Sequence, residues 1–147
     1  MAEEYPFSLT IPSDLRLLPV ARIFVEAVCQ SGGMERATID AVVLAVNEAT
    51  SNVIRHAHRE RPATPLQVQC RLLPEGIEVQ LLDEGPAFDL TTVPHLDPGE
   101  VRVGGRGVYL MRQLMDELNC ERRPQGGNIL RMVKRCCRST GSCGANK

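Results

Sequence analysis

The chain has 147 residues, 43% of them hydrophobic and 24% charged, with a formal net charge of −1. That is the length and mix of one globular domain, able to bury a core without disulfides or a structural metal, and no global feature points to nucleic acid or a membrane. The charge is uneven all the same: residues 1–120 carry 10 Lys and Arg against 17 Asp and Glu, and residues 121–147 carry 7 against 1, the signature of a solvated basic end.

The start, MAEEYPFSLT, lacks the basic and apolar regions of a secretory signal, and no apolar run approaches the length of a bilayer span, so a cytoplasmic protein is expected. YPFSLTIP alternates between prolines and reads as an edge strand. Ser13 is the N-cap candidate of a first helix ending at Gly32 and Gly33, with Leu17, Ala21, Phe24, Val25 and Val28 as its apolar stripe and Pro19 delaying its start. A longer helix follows over 35–58, its buried side formed by Ile39, Val42, Val43, Val46, Ala49, Val53 and Ile54. LQVQCRLL and GIEVQLLD form a hairpin around PEG. Residues 89–105 show no sustained period, which marks a functional loop or lid. RGVYLMRQLMDEL is a third helix, with Val108, Leu110, Met111, Leu114, Met115 and Leu118 apolar, and a closing hairpin turns at PQGG. Hairpin-joined strands whose apolar face needs a cover of helices define a two-layer α+β sandwich.

Cys29, Cys70 and Cys120 fall singly in apolar patterns, as buried reduced thiols do. Cys136, Cys137 and Cys143 share the tail, without the CxxC pair or His that zinc requires. With no Trp, two Tyr and three Phe, there is little material for base stacking.

Three stretches carry chemistry. In NEATSNVIRHAH, Glu48, Asn52 and His56 follow one another at four-residue intervals and share a helix face. In DEGPAFD, Asp83 sits at a strand exit, where a carboxylate can accept from an exocyclic amine, and Gly85 lets backbone approach a flat ring. In GGRGVYL, Gly104, Gly105 and Gly107 lead into a helix, whose amides and positive end suit an anion. Each alone is weak; taken singly, a solvated stripe, a turn and a helix start explain them better.

In this order the three, with the closing GGNILRMVKR, resemble the GHKL (histidine-kinase-like) ATPase superfamily over roughly residues 5–135, and within it the anti-sigma-factor serine/threonine protein kinases. The resemblance implies a Bergerat-type ATP-binding fold, a mixed, mostly antiparallel sheet covered on one face by helices. It implies a kinase domain over 1–135; the basic, Cys-containing tail over 136–147, expected to be disordered, has no counterpart in the family pattern. ATP and Mg2+ are the implied cofactors. Asn52 is the implied metal ligand, an amide oxygen suited to a hard ion. Glu48 is the implied general base. Asp83 would read the adenine amino group, Gly85 leave room for the ring, Gly105 and Gly107 donate amides to phosphate, and Arg106 steady the γ-phosphate. His56 would orient neighbours or be structural.

Two positions depart from the family pattern. Ala87 stands where D-x-G-x-G has its last glycine, and its methyl either crowds the nucleotide or is accommodated. Asn128 stands where Thr is common, and as a nucleotide-side residue it weakens or replaces a hydrogen bond. The implied activity is transfer of phosphate from ATP to a Ser or Thr of a STAS-domain anti-anti-sigma partner by a protein that also holds a sigma factor, commonly as a homodimer, with no direct nucleic-acid or membrane partner. The alternative is a non-catalytic anti-sigma or adaptor module in which nucleotide is structural or absent. A sensor histidine kinase fragment fits less well, since no helix with a phospho-acceptor His precedes the N box.

Overall fold

The computed structural model describes residues 4–87 and 105–136. The expected lid, apart from Gly105, and all but the first residue of the expected tail lie outside them. Strand β1 (Phe7–Pro12) leads through a short 3-10 turn into helix α1 (Leu18–Ser31), then α2 (Arg36–Asn52), which runs into a π-helical turn, Val53–Ala57. Strands β2 (Pro65–Leu73) and β3 (Gly76–Asp83) form the hairpin; α3 (Gly105–Leu114), β4 (Glu117–Arg122) and β5 (Asn128–Arg135) complete the order. The sheet runs β1-β2-β3-β5-β4. Every adjacent pair is antiparallel, so among the described residues the expected mixed sheet is purely antiparallel. As expected, β1 is an edge strand.

The helices cover one face. Ala21, Val25 and Val28 of α1 and Ile39, Val42, Val46 and Ala49 of α2 are buried, against Leu66, Val68, Val79 and Leu81 of the sheet. Val42, Val46 and Ile54 are completely shielded from solvent, and burial of each contributes about 1.5–3 kcal/mol. The open face carries charge instead. Glu78 of β3, itself buried, accepts from Arg71 of β2 at 2.8 Å, pairs with Arg131 of β5 at 3.1 Å and accepts from the Tyr5 hydroxyl. Burial pulls the Glu78 carboxyl up, but Tyr5, Arg71 and Arg131 together outweigh it and hold its pKa below the ordinary carboxylate value.

Pro19 does delay α1, which starts only at Leu18 with Pro19 in its first turn, where the missing N–H costs nothing. Ser13 is not an N-cap. Asp14 caps the 3-10 turn, its Oδ1 accepting the Arg16 N–H at 2.9 Å, and Ser13 is buried elsewhere. The third helix is shorter than its apolar pattern. It ends at Leu114, the Asp116 N–H bonds to the Val133 carbonyl at 2.8 Å, and Leu118 belongs to β4 opposite Met132. Leu118 and Cys120 point inward with strand alternation, which a helical reading of MDEL conceals. Among the described residues no helix is long and apolar enough to cross a membrane.

Candidate functional site

At one end of the sandwich, the end of α2, the exit of β3, the first half of α3 and the β4–β5 pair enclose a cavity of ≈ 310 Å³, at the small end of the roughly 300–1,000 Å³ typical of ligand pockets. Ala49, Val53, Val108, Met111 and Leu130 form its apolar walls, and Asn52, His56, Asp83 and Asn128 supply its polar groups. A flat apolar slot with a few convergent polar groups suits an aromatic ring carrying hydrogen-bonding edges.

Strand register builds one pole of the cavity. Asp83, the last residue of β3, pairs directly with Asn128, the first of β5. Both are buried, at 5% and 3% exposure. Asp83 Oδ1 accepts the Gly85 N–H at 2.8 Å and the Asn128 amide at 3.0 Å, and the same Asn128 nitrogen reaches the Pro86 carbonyl at 2.8 Å. Oδ2 has no hydrogen-bond partner among the described residues, so a buried carboxylate oxygen that lines the cavity stands ready to accept from a ligand. Arg122 donates to the Gly85 carbonyl at 2.8 Å and Arg123 to the Asp83 carbonyl at 2.9 Å, pinning the turn from its outer side.

Gly85 lies behind the cavity, not in its lining. Its turn presses on the end of α2 so closely that a methyl group there would sit 2.5 Å from the Ala57 Cβ. Ala87 does line the cavity, so the extra methyl relative to the glycine pattern falls at the site itself.

Asn52 and Glu48 form the opposite pole, one turn apart on α2. α3 crosses them at Gly107, where a methyl would lie 2.7 Å from Asn52 Nδ2 and 3.4 Å from Glu48 Oε2. Glycine is what lets the start of α3 approach the amide and the carboxylate. Gly105 and Arg106 are the first residues of α3; the Arg106 side chain lies outside the described residues. Asn47 faces away and accepts from Arg22 of α1 at 2.9 Å, while His56, on the π turn, lines the cavity. Asn52, Asp83 and Asn128 thus line one slot from three separate elements, and Gly107 of α3 packs beside it against Asn52 and Glu48.

His58, Ser13, Arg122 and Arg123 were not anticipated as site residues. His58 is buried, its Nδ1 lies 2.7 Å from Ser13 Oγ and its Nε2 accepts the Glu84 N–H at 2.8 Å. No spacing rule signals it, because its partners come from 45 residues before and 26 residues after it in the chain.

Fold and cavity define an α+β sandwich with a ligand slot between its helical layer and one end of its antiparallel sheet. The chain belongs to the histidine kinase-like ATPase domain family, which it matches over residues 11–134, and the GHKL resemblance drawn from its motifs is correct. It is 27% identical over 119 residues to serine-protein kinase RsbW of Listeria monocytogenes, spanning 76% of each chain. It is also 26% identical over 121 residues to the Bacillus subtilis serine-protein kinase RsbW, spanning 77% of this chain and 76% of the other. Among solved structures it resembles the RsbU and RsbW domains of a Mycobacterium tuberculosis protein with a TM-score of 0.58 at 14% identity, over 87% of this chain and 32% of that one. That likeness confirms the two-layer fold.

Proposed function

We propose that the protein is an ATP-dependent serine/threonine protein kinase and anti-sigma factor that phosphorylates a STAS-domain anti-anti-sigma partner. The observation that carries this reading is the single slot with a hydrogen-bonding carboxylate at one pole and a glycine helix start against Asn52 and Glu48 at the other. Relatives whose names state serine-protein kinase support the kinase reading, and the partner classes are those that the resemblance of the motifs implies.

The residues present fit a nucleotide with its metal. The free Oδ2 of Asp83 accepts a hydrogen from the adenine amino group, while Ala49, Val53, Val108 and Met111 exclude water from the ring. The Asn52 amide oxygen would hold Mg2+, which when bound neutralises charge on the phosphates and orients them. The α3 start offers its unpaired amides to phosphate, with Gly105 and Gly107 in its first turn and Arg106 between them to steady the γ-phosphate. Glu48 takes the proton of the incoming Ser or Thr hydroxyl as the oxygen attacks. The phosphate adds about −1.5 to −2 charges to the partner at neutral pH, which weakens its hold on the kinase and leaves the kinase free for the sigma factor. In this reading the kinase unit is residues 1–135, followed by the basic tail, in a cytoplasmic homodimer.

Labelled ATP, Mg2+ and a STAS-domain protein, with Glu48→Gln as the comparison, test the assignment. Wild-type protein should transfer label and the variant should not; undiminished transfer by the variant removes Glu48 as the base. Ala87 at the slot favours a second reading, a binding module without catalysis. Calorimetry and transfer together decide between them: no heat with millimolar ATP leaves a module without nucleotide, and ATP binding without label transfer leaves one in which nucleotide is structural.

A further inference from the structure

We propose that His58 is a positioning residue for this slot: through Nε2 it fixes the Glu84 amide, and with it the Asp83–Gly85 turn that presents the Asp83 carboxylate, and it does so only in its neutral form. The inference rests on the reading of the slot as a nucleotide site.

The hydrogen-bond network assigns the tautomer. The Thr64 carbonyl, 2.6 Å from Ser13 Oγ, can only accept, so it takes the one hydroxyl hydrogen. Ser13 Oγ must then accept at 2.7 Å from His58, which places a proton on Nδ1. The Glu84 N–H can only donate, so Nε2 is an acceptor at 2.8 Å and carries no proton. The ring therefore bridges three segments, the β1 exit, the loop before β2 and the β3 exit. Ser13 and His58 are both buried, at 0% and 3% exposure, so water does not readily replace the bond between them.

The chain makes unusual local arrangements to deliver this ring. The π turn closes with the His58 N–H on the Val53 carbonyl, and Arg59 and Glu60 follow with φ of 50° and 56°, a left-handed pair without glycine. Such conformations persist where surrounding contacts over-determine them. Here those contacts are the His58 bonds and the Glu60 N–H bond to the Ile54 carbonyl.

A proton added at Nε2 would face the Glu84 N–H, two donors against each other, and the turn would have to move. The charged groups that act on His58 are Asp83 and Glu84 of the β3 exit, both favouring the charged ring. The β1 exit and the loop before β2 present the uncharged Ser13 and Thr64, and the neighbouring Asp14 is engaged by Arg16. Burial outweighs the two carboxylates and holds the ring below the ordinary histidine value of 6.5, so the neutral form prevails at neutral pH. Protonation enters only as pH falls below that value.

The test uses the full chain with ATP and Mg2+ in a calorimeter from pH 8 to 5.5, comparing wild type with His58→Gln and His58→Leu. Glutamine offers the Glu84 amide an oxygen that does not titrate; leucine offers nothing. At pH 8 the Leu variant should bind about tenfold more weakly, the effect of leaving one partly buried amide unpaired, and the Gln variant should recover most of that loss. The ratio of wild-type to Gln-variant affinity, in which the titration of ATP itself cancels, should fall as His58 takes up its proton, a point read from the His58 ring resonances and expected only below pH 6.5. The Glu84 amide resonance of the nucleotide-free protein should shift over the same range. Tight ATP binding by wild type with a flat ratio and full affinity in the Leu variant would overturn the positioning role alone. Absence of ATP binding in every variant would overturn the nucleotide site and this proposal with it.

Discussion

Asp83→Asn separates recognition from folding more cleanly than any other substitution in the slot. The two oxygens of Asp83 have different surroundings: Oδ1 accepts from Gly85 and Asn128, and Oδ2 has no hydrogen-bond partner among the described residues of a side chain that lines the cavity. Asparagine can keep its carbonyl oxygen on Gly85 and Asn128, which places an NH2 where Oδ2 was. The turn then keeps both hydrogen bonds, now neutral, at a cost of about 1 kcal/mol in stability. The adenine amino group instead meets a donor. Loss of a hydrogen bond to a charged group is worth roughly 1.5–3 kcal/mol, so ATP affinity should fall about ten- to hundredfold. Calorimetric titration with ATP, beside urea denaturation of both proteins, reads the two quantities separately. Unchanged affinity in a folded variant would show that Asp83 Oδ2 does not read the base, and a stability loss of several kcal/mol would show that the carboxylate is structural.

Gly107→Ala should leave the fold intact, since alanine favours a helix by about 1 kcal/mol over glycine. The methyl would nevertheless displace the Asn52 amide from 2.7 Å contact, and phosphate transfer should fall more than tenfold with Tm maintained; retained transfer would disconnect Gly107 from the site. On the open face, Glu78→Gln should cost about 2 kcal/mol in urea denaturation at pH 7, because Arg71 and Arg131 lose a buried counter-charge. The Glu78 pKa is depressed in the folded state, so its contribution is complete above the ordinary value of 4.5 and is lost as pH falls through the lower folded value. The variant should therefore show a flatter acid limb below pH 4.5, and an unchanged limb would refute the pairing.

The elements were legible in the sequence where one face met one partner. The stripes of α1 and α2 and the alternation of β2 each report a single buried side, and the structure buries most of those residues, with Leu17, Phe24 and Val43 partly buried at the margin. Where two periods overlap the pattern misleads. Leu114 and Met115 continue the helical spacing of Val108 and Met111, and Leu118 satisfies it too, yet Leu118 lies in a strand because β5 supplies a ladder that local spacing cannot announce. The site divides likewise. Glu48, Asn52, Asp83 and Gly107 lie in motifs whose order carries information, and they meet. Gly85 was assigned to ring clearance and is instead packed against Ala57. Arg122 and Arg123 looked like part of a basic end, and their bonds to the Asp83 and Gly85 carbonyls exist only because register brings a hairpin tip to that turn.

The end of α2 explains how one helix serves core and slot together. Through Asn52 the ordinary α-helical advance keeps Val42, Val46 and Ala49 on the sheet and aligns Glu48 with Asn52. Continued unchanged, the same advance would carry the polar line past the slot. The π turn from Val53 widens the coil, so each residue advances less around the axis, and its carbonyls bond one residue further on. Val53 and Ile54 stay buried, His56 still reaches the cavity, and His58 is brought beneath the β3 exit instead of outward to solvent. A regular α-helix through residue 58 would retain the apolar stripe but not the link from α2 to the Asp83 turn. The irregularity therefore joins the helix that carries Glu48 and Asn52 to the strand end that carries Asp83, and the two poles of the slot are set by one continuous segment.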